Sequence, residues 1–79
     1  MILEINIDGT RLWYNSKGRY HRINGAAIEC SGGTKSWWFN GKRHRLDGPA
    51  IEYVGGDKAW YINGKEYTEE KFSKIMVEI

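Results

Sequence analysis

The sequence predicts a mainly β fold: an antiparallel meander of tandem β-hairpin repeats with one C-terminal capping α-helix. Three observations carry this. A 23-residue period runs through the chain, short alternating apolar runs bounded by glycine turns fill each period, and only the tail switches to helical spacing.

The period is read from identities. His21 recurs as His44, Gly25 as Gly48, Ala27 as Ala50, Ile28 as Ile51, Glu29 as Glu52, Gly33 as Gly56, Lys35 as Lys58, Trp37 as Trp60, and Asn40-Gly41 as Asn63-Gly64, all at an offset of 23. Residues 18–40 and 41–63 are two full copies, residues 1–17 hold a partial one, and the whole chain of 79 residues reads as a single domain. In the partial copy, Asp8 to Tyr14 matches Gly32 to Trp38 at an offset of 24, one residue being inserted near Asn15-Ser16-Lys17.

Within each copy, Ala-Ala-Ile-Glu-Cys or Pro-Ala-Ile-Glu-Tyr forms a short strand that places Ile28 with Cys30, or Ile51 with Tyr53, on one face. A Gly-Gly turn follows, then Lys-Ser-Trp-Trp-Phe or Lys-Ala-Trp-Tyr-Ile. Asn-Gly closes a two-residue type I′ turn, because both central positions need positive φ. Asp8-Gly9 carries the same signal between the first two strands. About six or seven short strands result. Trp13, Trp37 and Trp60 share one slot and are assigned to the core, since a chain this short has few large side chains to bury. Cys30 aligns with Tyr53 and is expected to be a buried small hydrophobe. Tyr14, Trp38 and Tyr61 form a second aromatic row on the other face, buried if the sheet is covered there and an interface if it is not.

The tail predicts a helix over about residues 68–77. Thr68 is its N-cap, Glu69 and Glu70 complement the dipole, and Phe72, Ile75, Met76 and Ile79 make one apolar stripe. Such a helix would cover the end of the array.

The net charge of +2 conceals an asymmetry: +7 over residues 11–45, −2 over residues 1–10 and −3 over residues 46–79. The cations concentrate in two strips one period apart, Arg19-Tyr20-His21-Arg22 and Lys42-Arg43-His44-Arg45, which stacked copies would place side by side. These strips, taken here as residues 17–22 and 42–45, can meet phosphates, meet an acidic protein surface, or simply form a solvated repeat edge. Candidate binding residues are Arg19, Arg22, Lys42, Arg43 and Arg45, with the outward aromatics Trp38 and Tyr61. No catalytic set emerges. His21 and His44 occupy one slot of successive copies, which points to an architectural role such as bonding a turn. One cysteine and two histidines do not complete a zinc site, and no cofactor or metal is expected. The first eight residues alternate and carry Glu4 and Asp8, unlike a signal peptide or spanning helix, so a soluble, cytoplasmic, non-enzymatic chain without a membrane partner is expected.

Residues 41–53, with Lys58 to Lys65 and the closing Asn-Gly-Lys-x-Tyr-Thr-x-Glu-x-Phe at 63–72, resemble a MORN-like repeat of uncharacterised phage and giant-virus proteins. The resemblance covers about residues 9–72. It implies a β-hairpin repeat of viral origin and no reaction. The function it implies is that of a phage-type accessory protein that binds a host or viral protein and inhibits or modulates it, a CRISPR or other defence component being the most specific form, in the host cytoplasm. Nucleic-acid binding through the basic strips, and a structural or oligomerisation role with edge strands pairing into a homodimer, stay open.

Overall fold

In the computed structural model, which describes residues 1–78, nine strands precede one helix. They are β1 (Ile2–Ile5), β2 (Arg11–Tyr14), β3 (Ile28–Glu29), β4 (Lys35–Ser36), β5 (Trp38–Phe39), β6 (Lys42–Arg43), β7 (Ile51–Glu52), β8 (Lys58–Ile62), β9 (Lys65–Tyr67) and α1 (Glu69–Glu78). A seven-stranded sheet runs in the order β1-β2-β3-β4-β7-β8-β9, and β5 pairs with β6 beside it. Every pairing is antiparallel, as a meander of hairpins requires. The mainly β array with its C-terminal helix follows the sequence prediction.

Two kinds of turn build the hairpins. Asn40-Gly41 and Asn63-Gly64 are the predicted two-residue turns: Asn40 and Asn63 have φ of 50° and both glycines 84°, and Phe39 pairs directly with Lys42 as Ile62 does with Lys65. The Asp8-Gly9 turn departs from the type I′ prediction and shares its form with the predicted Gly-Gly turns and with the loop from Asn15 to Arg19. Each is a longer loop in which residues four apart share a hydrogen bond, as in Asn6–Thr10, Asn15–Arg19, Cys30–Thr34 and Tyr53–Asp57. A glycine at positive φ (Gly9, Gly18, Gly33 or Gly56) precedes the closing residue. Gly9 is left-handed but Asp8 is not, so the pair does not make a type I′ turn, and the loop is held instead by the Asp8 carboxylate, whose Oδ1 accepts from the Thr10 N–H at 3.0 Å.

The slab measures 40 × 30 × 17 Å, thick enough for one layer of core. That core is small: Ala26, Ala27, Ala50, Ile51 and Phe72 are buried. Ala27 and Ala50 join the segments on either side of them through the backbone. The Ala27 carbonyl accepts from Trp13 and its N–H donates to Ser36, while Ala50 links Trp37 and Ala59 in the same way. A larger side chain would hold these strands apart.

Two core assignments need correction. Trp13, Trp37 and Trp60 are only half-buried, because a single-layer slab this thin cannot seal an indole on all sides. Cys30 is exposed. Its strand ends at Glu29, so Cys30 opens a loop, and its equivalent Tyr53 is exposed for the same reason. At the tail, the Thr68 hydroxyl accepts from the Lys71 N–H at 3.1 Å, which makes Thr68 the cap of α1 as predicted. Phe72 is buried and Ile75 and Met76 half-buried; Ile79, the last of the predicted stripe, lies outside the described residues. Among the described residues no helix is long and apolar enough to cross a membrane.

Candidate functional site

The repeat puts side chains of the same slot in a row, so the site is best built slot by slot. Tyr14 pairs across its hairpin with Tyr20, Trp38 with Arg43, and Tyr61 with Glu66. Stacking the copies threads these pairs into one ladder. The Tyr14 and Tyr20 rings lie 5.3 Å apart, Tyr20 and Trp38 5.3 Å apart, and the Arg43 guanidinium carbon is 5.1 Å from Trp38 and 5.4 Å from Tyr61. All five side chains are half-buried. The aromatic row is therefore neither sealed nor free: its members pack on one another and stay partly exposed.

Each end of the ladder carries a carboxylate. At the first, the Tyr14 hydroxyl donates to Glu4 Oε1 at 2.8 Å, and this bond to a negative charge pushes the phenol up to about 12 from its ordinary 10.0. At the other, Glu66 faces Tyr61 on β9. Between Trp38 and Tyr61 a notch of about 240 Å³ opens, lined by Trp38, Lys42, Arg43 and Tyr61 with Gly41 and Gly64 at the turns.

The structure divides the seven candidate residues. Trp38, Lys42, Arg43 and Tyr61 share the notch. Arg19 packs on the adjacent turn, where a Cβ on Gly41 would lie 3.4 Å from the arginine stem; Lys42 stands over Gly64 in the same way. Arg22 and Arg45 lie elsewhere and are engaged internally. Arg22 stacks 3.8 Å from the Trp13 ring centre and donates to the Ala26 carbonyl and to Glu29. Arg45 stacks 3.8 Å over Trp37 and donates to the Pro49 carbonyl, Glu52 and Asp47. These guanidinium groups are lids on the half-buried indoles. They also explain two glycines, since a Cβ at Gly25 or Gly48 would come within 3.1 or 3.0 Å of the guanidinium carbon.

The two basic strips are not neighbours. The Gly41 N–H donates to the Tyr20 carbonyl and the Arg22 N–H to Trp38, so the strand 38–41 lies between residues 19–22 and 42–45. One strand intervenes because the Asn-Gly hairpin folds each copy back on itself. A row that sequence reasoning did not single out takes the place of the adjacent strips: Arg19, Lys42 and Lys65, each directly after a turn glycine and each exposed, about 10 Å apart at one hairpin per copy. Tyr20 was also missed as a site residue. Its signal was present in the 23-residue offset that equates it with Arg43.

The histidines bond turns, as predicted. Nδ1 of His21 accepts from the Asn40 N–H at 3.0 Å, and Nδ1 of His44 accepts from Asn63 at 2.9 Å. Each imidazole thus holds the first residue of a type I′ turn. Phe39 lies between the two rings, 4.5 Å from His21 and 6.0 Å from His44. A wider groove of about 600 Å³ between residues 22–25 and 44–47 is lined by the paired Arg22 and Arg45 and by exposed Ile23, Phe39 and Leu46. Among the described residues no three His, Cys, Asp or Glu side chains converge as a metal site would require.

With this geometry in place, no protein-family model, curated protein or solved structure matches the chain.

Proposed function

We propose that this chain is a non-enzymatic binding module that recognises a partner protein through the Trp38–Arg43–Tyr61 part of the ladder. The observation that carries this reading is a continuous row of half-exposed planar side chains on one face, with a guanidinium inside it. Aromatic and arginine side chains already held in place by neighbours lose little entropy on binding, which is why such groups anchor protein interfaces. The absence of a reaction is supported by the histidines, whose Nδ1 atoms are occupied by turn N–H groups in both copies. The resemblance to viral repeats suggests a host protein, such as a component of a defence system, as the partner.

A nucleic-acid reading draws on the row Arg19, Lys42 and Lys65. Of this row only Lys42 lines the notch of Trp38, Arg43 and Tyr61; Arg19 and Lys65 do not. A single-strand site combines stacking and phosphate contacts in one groove. Here a single lysine of the row accompanies the stacking rings and carboxylates stand at both ends of the ladder, so the protein reading is the better supported.

The test uses the full chain immobilised against nuclease-treated extract of the source or host cell. One protein retained by the wild type should be lost with Trp38→Ala and with Tyr61→Ala, both variants keeping their folded spectra. Retention that survives both substitutions, or recovery of nucleic acid instead of protein from untreated extract with a steep salt dependence, overturns the reading.

A further inference from the structure

Along the ladder, one slot breaks its own pattern. Tyr20, Arg43 and Glu66 are equivalent by the 23-residue offset, yet one is aromatic, one cationic and one acidic. The residues that serve architecture here recur in kind: the histidine on both Asn-Gly turns, the arginine lid on Trp13 and on Trp37. A residue that differs from its equivalents makes a site that occurs once per chain, as a specific contact does.

Arg43 is also the odd one among the half-buried arginines. Arg22 and Arg45 each have a carboxylate within 3.3 Å and 3.1 Å respectively, in Glu29 and Glu52. Among the described residues Arg43 has no carboxylate within the 4.0 Å of an ion pair, and its Nε is buried without a hydrogen-bond partner. Its charge is offset only by the faces of Trp38 and Tyr61, a weak compensation next to a bidentate acid. Those two rings also fix the guanidinium in place, so a ligand need not order it. Lys42 stands at the rim of the same notch and adds a second positive charge.

Resting on the protein-binding reading above, we infer that the notch of Trp38, Arg43 and Tyr61 is a carboxylate-binding site that takes one aspartate or glutamate side chain of the partner. The carboxylate bonds the outer edge of the guanidinium, and the stem of the acidic residue packs between the indole and the phenol. The ends of the ladder decide against a polyanion. A chain of phosphates following the ladder would run onto Glu66 on one side of Arg43 and Glu4 on the other. A single acidic side chain meets neither. The 240 Å³ of the notch suits one such side chain.

The experiment is an NMR titration of the labelled full chain with two blocked octapeptides, acetylated and amidated, that differ only in a central glutamate or glutamine. The Arg43 Nε–H and Trp38 Nε1–H resonances report on the notch. The glutamate peptide should shift both saturably. The glutamine peptide should bind about tenfold more weakly or worse, the difference of one charged hydrogen-bonded pair. Arg43→Gln should abolish the shift at Trp38 with the remaining amide spectrum unchanged, and Arg43→Lys, which keeps the charge but loses the planar fork, should restore it only in part. Equal binding of the two peptides, no shift at millimolar glutamate peptide, or full binding by Arg43→Gln overturns the inference. So does a single-stranded oligonucleotide that moves both resonances at lower concentration than the peptide. The two proposals fail separately: if Trp38→Ala and Tyr61→Ala lose the captured protein while Arg43→Gln retains it, protein binding stands and the carboxylate site falls.

Discussion

Trp37 and Trp60 hold the same place in successive copies, yet they are covered by different means. Over Trp37 lies Arg45, whose guanidinium also pairs with Glu52 and bonds the Pro49 carbonyl. Arg22 covers Trp13 in the same manner. Each lid comes from the copy that follows its tryptophan. One period beyond Arg45 the chain has Thr68, which cannot reach over an indole and instead caps α1. That helix packs against β8, the strand bearing Trp60, and buries Phe72. An interior copy is thus closed by an ionic lid borrowed from its neighbour. The slot that would supply the lid of the last full copy holds Thr68, and the apolar stripe of α1 packs against that copy's β8 instead.

The comparison can be broken at either closure. Phe72→Ala should have the largest effect, a loss of about 3–5 kcal/mol, because among the described residues Phe72 is the one large side chain of the tail in the core. Urea unfolding measures it, and a loss below about 1 kcal/mol would mean that α1 does not close the array. Next in size are the lids. Arg45→Ala and Arg22→Ala should each cost about 2 kcal/mol, since each leaves a half-buried carboxylate and a carbonyl without their donor. Arg45 should cost slightly more, by less than about 1 kcal/mol, because Asp47 pairs with it whereas Asn24 stands in the equivalent place. Asp47 is 87% exposed, which keeps that increment small. Lid substitutions that leave the unfolding midpoint unmoved would show the stacked arginines to be ornamental.

The smallest effect lies at the uncovered first end. The Tyr14 phenol is raised because its neutral, donating form is favoured beside Glu4 in the folded chain. A raised folded-state value stabilises the protonated state, so this contribution is complete below pH 10 and disappears as pH climbs through about 12. In Glu4→Gln the phenol titration, followed by ultraviolet difference absorbance, should move back toward 10.0. A midpoint unchanged by that substitution would disprove the bond as its cause.

Much of this was legible in the residues. Identity at a fixed offset marks copies, and copies must stack, so the repeat led directly to the hairpin array. Asn-Gly turns and the Thr68 cap were legible because their geometry is decided within four residues by positive φ or a local hydroxyl. The histidines were readable as turn ligands because both copies carry one. The lids were not. Arg22 and Arg45 were grouped with Arg19, Lys42 and Arg43 as one basic surface, since a charge run carries no mark of where each guanidinium goes. Nor did alternation reveal that Cys30 lies past the end of a two-residue strand, where the rule of opposite faces no longer applies.

What the amino-acid order determined by itself is the period, the positions of its tight turns, the capped helix and the set of slots that recur. These follow from local backbone preference and from counting. What only the tertiary structure decided is how neighbours in the chain are used. Arg43 and Arg45 are two residues apart, carry the same charge and sit in the same strip. One ends over an indole with two carboxylates and a carbonyl, and the other ends between two rings with no paired acid among the described residues. The difference is made chiefly by Trp37 and Glu52 for Arg45 and by Trp38 and Tyr61 for Arg43, residues 5 to 18 positions away that antiparallel pairing brings alongside, with only Asp47 and Pro49 close in the chain.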